Sequence, residues 1–212
     1  MTALPRRLLL VRHGETNENV QGIIQGQLDT ALNELGLRQA ELTGAALKDE
    51  PIARIVSSPL QRAYNTAAAI AKHHPALRIE NDPRIMERQF GVLQGKVYHG
   101  PREKPADTEG MESTKDLMAR LSAFFRDLKT SVASTPGTTV LVSHGGALSS
   151  LVNLVMLAEG HVVCAPSIEP SRFWNCSISE ILFERDPPTI VRWADIAHLD
   201  ASRKLANVDE AI

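Results

Sequence analysis

Arginine and histidine side chains follow directly after apolar runs at two places in this 212-residue sequence. Arg12, His13 and Gly14 follow the run at residues 8–11, and His144 follows the β-branched run at residues 138–143. A guanidinium presents a planar set of donors that fits a phosphate, and a histidine near neutral pH offers an unprotonated nitrogen. Gly14 lets the backbone approach a ligand closely. Alone, an Arg-His-Gly triplet is most simply a strand that ends in solvated charge, so its meaning depends on the rest of the chain.

A second arginine, Arg62, follows another short predicted strand at residues 54–58. Ser58, Pro59 and Gln61 are helix-start signals: a capping serine, a proline at the first helical position and a capping-box glutamine. Arg62 would then lie in the first helical turn, just past the carboxyl end of a strand, where helix N–H groups also favour anions. By itself Arg62 is most simply a surface arginine.

Glu87 is a carboxyl group in an apolar segment, with Ile85 and Met86 before it and Phe90 after it. Apolar surroundings favour the protonated form of a carboxyl group. Glu87 is therefore a candidate general acid.

The segment at residues 96–110 is polar and rich in proline and charge, without clear periodicity, and we expect a loop or lid there. Some of its side chains could meet an anionic substrate, although a solvated charged loop is the simpler interpretation of each. These side chains are Lys96, His99, Arg102 and Lys104.

The elements that must position these side chains alternate between strands and helices. Asn33 is the predicted N-cap of one helix, with Leu32 and Leu37 as a hydrophobic staple. The alternation predicts an α/β fold with a doubly wound, mostly parallel central sheet flanked by helices, and such sheets bind ligands at the carboxyl ends of their strands. Arg12, His13, Arg62 and His144 are all expected at that edge. Strands are predicted at residues 8–11, 54–58, 77–81, 138–143, 177–184 and 189–196, helices at 33–50, 59–74, 113–132 and 147–157, and loops at 17–31 and 158–174.

Composition excludes several classes of partner. A formal net charge of −2 and a charged fraction of 23% indicate no global basic surface, so we expect neither nucleic acid nor a membrane as partner. No apolar stretch approaches the ~20 residues of a membrane helix, and the N-terminal apolar run is too short for a signal peptide, so a cytoplasmic location is expected. Cys164 and Cys176 form no disulfide framework or metal knuckle and are expected to be buried thiols.

Other phosphate chemistries lack their motifs in this chain. A cysteine phosphatase has arginine six residues after its nucleophile, but Pro170 and Leu182 occupy those positions after Cys164 and Cys176. The glycine-rich Lys-Ser/Thr turn of a P-loop and the Gly-x-Ser-x-Gly elbow of an acyl hydrolase are both absent. A metal site is disfavoured because the arginines would crowd a cation that has no evident set of carboxylates. A histidine nucleophile that acts on a dianionic phosphate remains.

Four motifs in this order, VRHGET, SSPLQRAYNTA, ERQFG and VSHGG, resemble the histidine phosphatase superfamily, also called the phosphoglycerate mutase-like family, in its branch with the RHGE[ST] motif. The resemblance covers about residues 7–199. It implies a single domain over residues 1–212, with lid segments at about 90–112 and 158–175 and a loose tail at 200–212.

The resemblance also implies roles for individual residues. His13 would take the phosphoryl group as phosphohistidine, and Glu87 would be the proton donor. Neither a metal nor another cofactor is required, and the partner is a small phosphorylated substrate. The groups implied to bind the phosphoryl oxygens or to lie around them are Arg12, Asn19, Gln25, Gly26, Arg62, His144 and Gly145.

Three functions remain possible within this interpretation. A phosphatase is favoured because any bound phosphomonoester plus water completes its cycle. A phosphoglycerate mutase-type transfer is the alternative, since the run Leu93-Gln94-Gly95 resembles the mutases, although no paired arginines resembling their carboxylate-binding element precede the helix at 113. A catalytically silent module that binds a phospho-ligand or a protein is the third possibility.

Overall fold

A seven-stranded sheet forms the centre of the computed structural model, which describes residues 4–97 and 108–199. Its strands are β1 (Arg6–Arg12), β2 (Ile52–Ser57), β3 (Ile79–Asn81), β4 (Gly137–Ser143), β5 (Val163–Cys164), β6 (Ile178–Leu182) and β7 (Thr189–Asp195). They lie in the order β3-β2-β4-β1-β6-β7-β5. All neighbouring strands pair in parallel except β6, which runs antiparallel to both β1 and β7. The predicted mostly parallel sheet is confirmed.

Helices cover both faces of this sheet. They are α1 (Asn17–Gln21), α2 (Glu34–Ala46), α3 (Gln61–Ala71), α4 (Thr114–Ser134) and α5 (Gly145–Ser150), and α5 continues as a π-helical segment at Leu151–Leu157. Leu8 and Leu10 of β1 pack with α4 and the α5 region, whereas Leu9 and Val11 pack with α3. Successive residues of β1 therefore point to two different cores, which explains its uninterrupted apolar run. In the described part of the chain, no helix is long and apolar enough to cross a membrane.

Two expectations about helices prove wrong. The predicted loop at 17–31 contains α1, which Thr16 caps by accepting a hydrogen bond from the Asn19 N–H at 3.2 Å. Asn33 caps α2 as predicted, but Leu37 is 51% exposed and cannot form a staple with the buried Leu32. The reason is the close contact of Gly36 with the backbone of Glu15, which turns Leu37 towards solvent.

The start of α3 also differs from expectation. The Gln61 N–H donates to a carboxylate oxygen of Asp29 at 2.7 Å, and its side-chain amide donates to the Asp29 carbonyl at 2.5 Å. A residue from a distant loop therefore caps α3, and the N-cap residue itself, Leu60, makes no side-chain capping bond. The Ser58 hydroxyl contacts His144 instead, at 2.8 Å.

Several smaller expectations can also be compared with the structure. The predicted loop at 158–174 contains the short strand β5, and Phe173 within it is fully buried. Cys176 is buried, which raises the pKa of its thiol to about 12, whereas Cys164 is only half-buried. The expected lid residues His99, Arg102 and Lys104 and the tail at 200–212 lie outside the described residues, and Lys96 is exposed.

We expect Gly36→Ala to lower the free energy of unfolding by about 1–3 kcal/mol, the usual cost of overpacking. A Cβ at this position would collide with the Glu15 backbone, which cannot move without displacing the residues that follow His13. The sign is informative because glycine-to-alanine changes inside helices usually stabilise. Urea unfolding measures the effect. Glu41→Ala, on the exposed face of α2, is the matched control and should stay within about 0.5 kcal/mol of the parent; equal stability of the two variants would contradict the contact.

Candidate active site

The parallel pairing of β1 with β4 brings two histidines together. Arg12 lies opposite Ser143 in the register of this pair, so that the next residue of each strand is a histidine. The His13 N–H donates to the Ser143 carbonyl at 3.0 Å, and the two imidazole ring centroids are 5.2 Å apart. The expectation that His13 and His144 meet at one sheet edge agrees with this geometry.

The His13 ring is held in one tautomer. Its Nδ1 lies 2.7 Å from the Gly14 carbonyl oxygen, which can only accept a hydrogen bond, so the ring proton is on Nδ1 and Nε2 carries the lone pair. Burial, and then the charges of Arg62 and Arg12, lower the pKa of His13 well below its usual value. His13 is therefore a neutral imidazole with a nucleophilic nitrogen.

Two arginine side chains lie beside the histidines without exposure to solvent. Arg12 and Arg62 are both 0% exposed. An Arg12 nitrogen donates to the Phe173 carbonyl at 2.8 Å, and Arg62 donates to the carbonyls of Gly26 and Leu28, each at 2.7 Å. Arg62 thus contributes positive charge and also fixes the loop that contains Gly26.

Thr66 links the loop after β1 to the helix that carries Arg62. Its hydroxyl accepts the Gly14 N–H at 3.1 Å and donates to the Arg62 carbonyl at 2.8 Å. Both hydrogen-bonding roles of this buried hydroxyl are therefore used. The expected position of Arg62, next to Arg12 and His13, depends on this contact as well as on the start of α3.

His144 occupies the N-cap position of α5 and is fully buried. Its Nε2 is 2.8 Å from the Ser58 hydroxyl oxygen, and within residues 4–97 and 108–199 its Nδ1 has no hydrogen-bond partner. Burial, followed by the positive charges of Arg62 and Arg12 and by the electrostatic interaction with the His13 ring, lowers its pKa well below the usual value. His144 is therefore neutral, with one proton to share between two ring nitrogens.

Glu87 is fully buried and accepts two backbone hydrogen bonds. One carboxylate oxygen accepts from the Arg88 N–H at 2.8 Å and the other from the Gly146 N–H at 2.9 Å. Burial raises the pKa of Glu87, although these two N–H groups and the charges of Arg62 and Arg120 oppose the rise. A Cβ at position 146 would clash with the carboxylate, so the second glycine after His144 provides space for Glu87.

Arg120 and Glu112 hold the backbone around Glu87, and sequence reasoning missed both. Arg120 donates to the carbonyls of Arg84 at 2.7 Å, Met86 at 2.8 Å and Glu87 at 3.2 Å. Glu112 accepts from the same guanidinium through both oxygens, at 2.6 and 2.8 Å. No local pattern marks either residue, because Arg120 lies 33 to 36 residues from the carbonyls that it binds, and Glu112 acts through Arg120.

The expected binding residues Asn19 and Gln25 have fixed side chains. The Asn19 carbonyl oxygen accepts from the Thr16 N–H and from the Asn175 amide, each at 3.2 Å. Asn175 also donates to the His13 carbonyl at 3.1 Å, which connects Asn19 to the histidine. The Gln25 carbonyl oxygen accepts from the Thr30 hydroxyl at 2.5 Å.

The two expected binding glycines occupy backbone positions at the edges of the site. Gly26 has a φ of +51°, a left-handed conformation that glycine adopts readily, and its carbonyl accepts from Arg62. Gly145 is buried and is the first residue of α5, directly after His144. Among the described residues, Asn175 and Thr66 are further contributors that the sequence motifs did not single out.

The arrangement as a whole can support transfer of a phosphoryl group. A neutral imidazole nitrogen, two buried guanidinium groups and a carboxyl group with a raised pKa are the groups needed for attack, charge stabilisation and proton donation. In the described part of the chain, no three His, Cys, Asp or Glu side chains are grouped as a candidate metal site.

Comparisons with known proteins give relatives for this arrangement. A Yersinia pestis protein named "Probable phosphoglycerate mutase GpmB" is 34% identical over an alignment of 213 positions, which covers 92% of this chain and 95% of that protein. The structure of a mycobacterial glucosyl-3-phosphoglycerate phosphatase is 29% identical, covers 90% of this chain and 100% of its own, and has a TM-score of 0.71. That of a phosphoserine phosphatase from Entamoeba histolytica, in complex with 3-phosphoglyceric acid, is 26% identical, covers 91% of this chain and 98% of its own, and has a TM-score of 0.71.

The family comparison agrees with these relatives. The family model of the histidine phosphatase superfamily (branch 1) matches residues 8–196, which include all four motifs. The relatives of this chain include proteins named as phosphatases and proteins named as mutases, and this similarity indicates a phosphoryl-handling enzyme. The chain belongs to branch 1 of the histidine phosphatase superfamily.

Proposed function

We propose that this chain is a phosphomonoester hydrolase that acts on small phosphorylated metabolites through a phosphohistidine on His13. The observation that carries the proposal is the convergence of a neutral, oriented His13 with two buried arginines and with Glu87, a carboxyl group of raised pKa. A cysteine phosphatase would need an arginine six residues after its cysteine. A P-loop enzyme would need its glycine-rich Lys-Ser/Thr turn, and a metal-dependent phosphatase would need a cluster of metal ligands.

In the first step, His13 Nε2 attacks phosphorus while the bond to the ester oxygen breaks. The proton of Glu87 passes to the departing alkoxide, so the alcohol leaves neutral. Arg12, Arg62 and the His144 N–H bind the phosphoryl oxygens, where their charges and dipoles stabilise the transferring group. Asn19, Gln25, Gly26 and Gly145 form the surroundings of the same group.

In the second step, the Glu87 carboxylate takes a proton from water as the water oxygen attacks the phosphohistidine. The phosphorus–nitrogen bond breaks, its electron pair returns to His13 Nε2, and inorganic phosphate leaves. Glu87 is protonated again, so each cycle returns the enzyme to its starting state. The Nδ1–H bond to the Gly14 carbonyl supports the positive charge that His13 carries as phosphohistidine.

A mutase is the second candidate, and the relative named as a phosphoglycerate mutase favours it. A mutase must retain its phosphorylated intermediate and return the phosphoryl group to substrate. A phosphatase needs only water. Two structural relatives that are 29% and 26% identical to this chain are named as phosphatases. We therefore favour hydrolysis, and the experiment below separates the two.

His13→Ala is expected to abolish phosphate release without loss of the fold, because no other described group replaces Nε2. The purified protein is incubated with p-nitrophenyl phosphate, with a panel of sugar phosphates, and with 3-phosphoglycerate plus bisphosphoglycerate. Acid-labile, base-stable phosphoprotein is measured in parallel. Release without isomerisation supports the hydrolase and isomerisation supports the mutase. Neither activity, with no phosphoprotein, would identify a binding module, and undiminished hydrolysis by His13→Ala would refute the nucleophile.

Glu87→Gln should lower kcat/KM for an alkyl phosphate by about 10²–10⁴-fold, the usual contribution of a general acid. In the parent protein the same parameter should fall as pH rises through the raised pKa of Glu87, since the required proton is lost. The variant should lack this alkaline limb. With p-nitrophenyl phosphate, whose leaving group needs no proton, the variant should release a stoichiometric burst of nitrophenolate and then stall as phosphoprotein. Retention of the alkaline limb in Glu87→Gln would assign the proton donor to another group.

Arg120→Met should lower kcat for alkyl phosphates by up to about 10²-fold, because misplacement of a catalytic group by about 1 Å costs this much. The alkaline limb should also move to higher pH, since the charge of Arg120 holds down the pKa of Glu87. The burst of nitrophenolate from p-nitrophenyl phosphate should slow less, because this leaving group needs no proton from Glu87. Arg126→Met, at an exposed position of α4, is the control. Glu112→Gln weakens the carboxylate contact that holds the Arg120 guanidinium but keeps the positive charge of Arg120. Equal losses in alkyl phosphate turnover and in the nitrophenolate burst, with no shift of the limb, would mean that Arg120 acts only on stability.

A further inference from the structure

Ser58 and His144 are brought together by the pairing of β2 with β4. Ser57 lies opposite Val142 in this register, and the Ser58 N–H donates to the Val142 carbonyl at 3.0 Å. The Ser58 oxygen then lies 2.8 Å from His144 Nε2, and both residues are fully buried. The contact joins segments 86 residues apart and is set by the sheet.

The direction of this hydrogen bond follows from the other contact of the hydroxyl. The Leu60 N–H donates to the Ser58 oxygen at 3.4 Å. If His144 Nε2–H also donated to this oxygen, the hydroxyl proton would be buried without an acceptor among the described residues, and an unsatisfied buried polar group is costly. If the hydroxyl donates to Nε2, both atoms of this contact are satisfied, and of these two side chains only the Nδ1–H of His144 lacks a partner among the described residues. The second arrangement is therefore favoured.

We propose that Ser58 is a positioning residue whose hydroxyl donates a hydrogen bond to His144 Nε2 and so keeps the single ring proton of His144 on Nδ1, where it binds a phosphoryl oxygen. Phosphoryl oxygens of a dianion only accept hydrogen bonds. The opposite tautomer would direct the Nδ1 lone pair at them and repel the substrate. This inference deepens the proposed function and rests on it only for the identity of the bound group.

The two histidines would then share one tautomer and have opposite roles. The His13 Nδ1–H donates a hydrogen bond to the Gly14 carbonyl, and Nε2 presents its lone pair. His144 accepts a hydrogen bond at Nε2 from the Ser58 hydroxyl and presents the N–H of Nδ1. A nucleophile and a donor are thus made from the same side chain because their backbone and hydroxyl partners differ.

The first test measures the tautomer directly, without reference to activity. In protein labelled with ¹⁵N at histidine, two-dimensional spectra of the ring nitrogens distinguish Nδ1–H from Nε2–H, and His144→Gln assigns the signals. The parent protein should show a neutral His144 protonated on Nδ1. A proton on Nε2, or a doubly protonated ring at pH 7, would overturn the proposal even if phosphatase activity is present.

The second test compares variants of neighbouring serines. Ser58→Ala should shift His144 towards the Nε2–H tautomer and weaken the binding of inorganic phosphate by about tenfold to hundredfold, the value of one hydrogen bond to a charged group. Ser58→Thr keeps the hydroxyl and should restore most of both. Ser57→Ala removes the adjacent buried hydroxyl, which donates to the Ser58 carbonyl at 2.9 Å, and should leave the tautomer unchanged.

The outcomes separate the two proposals. If Ser58→Ala and Ser57→Ala weaken phosphate binding equally and leave the His144 spectra unchanged, Ser58 has only a structural role and the inference is wrong. If the tautomer behaves as expected but no substrate is hydrolysed and no phosphoprotein forms, the proposed hydrolase is wrong while the inference about Ser58 stands as a feature of an anion-binding site.

Discussion

Positive charge buried away from solvent is the constraint on which the rest of the site depends. Arg12 and Arg62 have no exposed surface, and burying a charge is expensive unless dipoles or counter-charges compensate. Backbone carbonyls of Phe173, Gly26 and Leu28 provide part of this compensation. The chain as a whole carries a formal charge of −2, so the positive charge at this site is a local property of these few groups.

The same charges determine the protonation of their neighbours. Both histidines are kept neutral, because an imidazolium would be desolvated and repelled by the arginines. The carboxyl group of Glu87 experiences opposite influences: burial raises its pKa, whereas the cations and two N–H donors lower it. A nucleophilic imidazole and a carboxyl group that can gain and lose a proton therefore arise from one electrostatic environment, and their different responses come from the opposite signs of their charged forms.

Residues with a local signal could be predicted from the sequence, and residues whose role depends on distant contacts could not. His13 and His144 each end an apolar run, and parallel strand pairing then brings them together without further information. Arg62 was placed correctly although its cap was misassigned, since Asp29 replaces Ser58 in that role. Ser58 itself, and the pair of Arg120 and Glu112, act across separations that no propensity or periodicity encodes.

Local rules also failed where two backbones come into close contact. The pattern around Asn33 predicts a staple, but the contact between Gly36 and Glu15 overrides it and leaves Leu37 exposed. Glycine at such a position has no signal of its own in a single sequence. The same holds for Gly146, whose importance becomes evident only when the Glu87 carboxylate is seen to occupy the space of its missing side chain.

Glu87 depends on two helices on one face of the sheet, whereas the histidines and Arg12 are anchored on strands. Its carboxylate is held by the start of α5, and its backbone by Arg120 of α4. A small slide of α4, permitted by a change in a core side chain such as Leu121, would shift Arg120 and alter the distance of the proposed proton transfer, while the strands and the start of α5 keep the other site residues in place. Within this architecture, turnover and affinity can therefore diverge separately as the protein evolves, through substitutions that never touch the substrate.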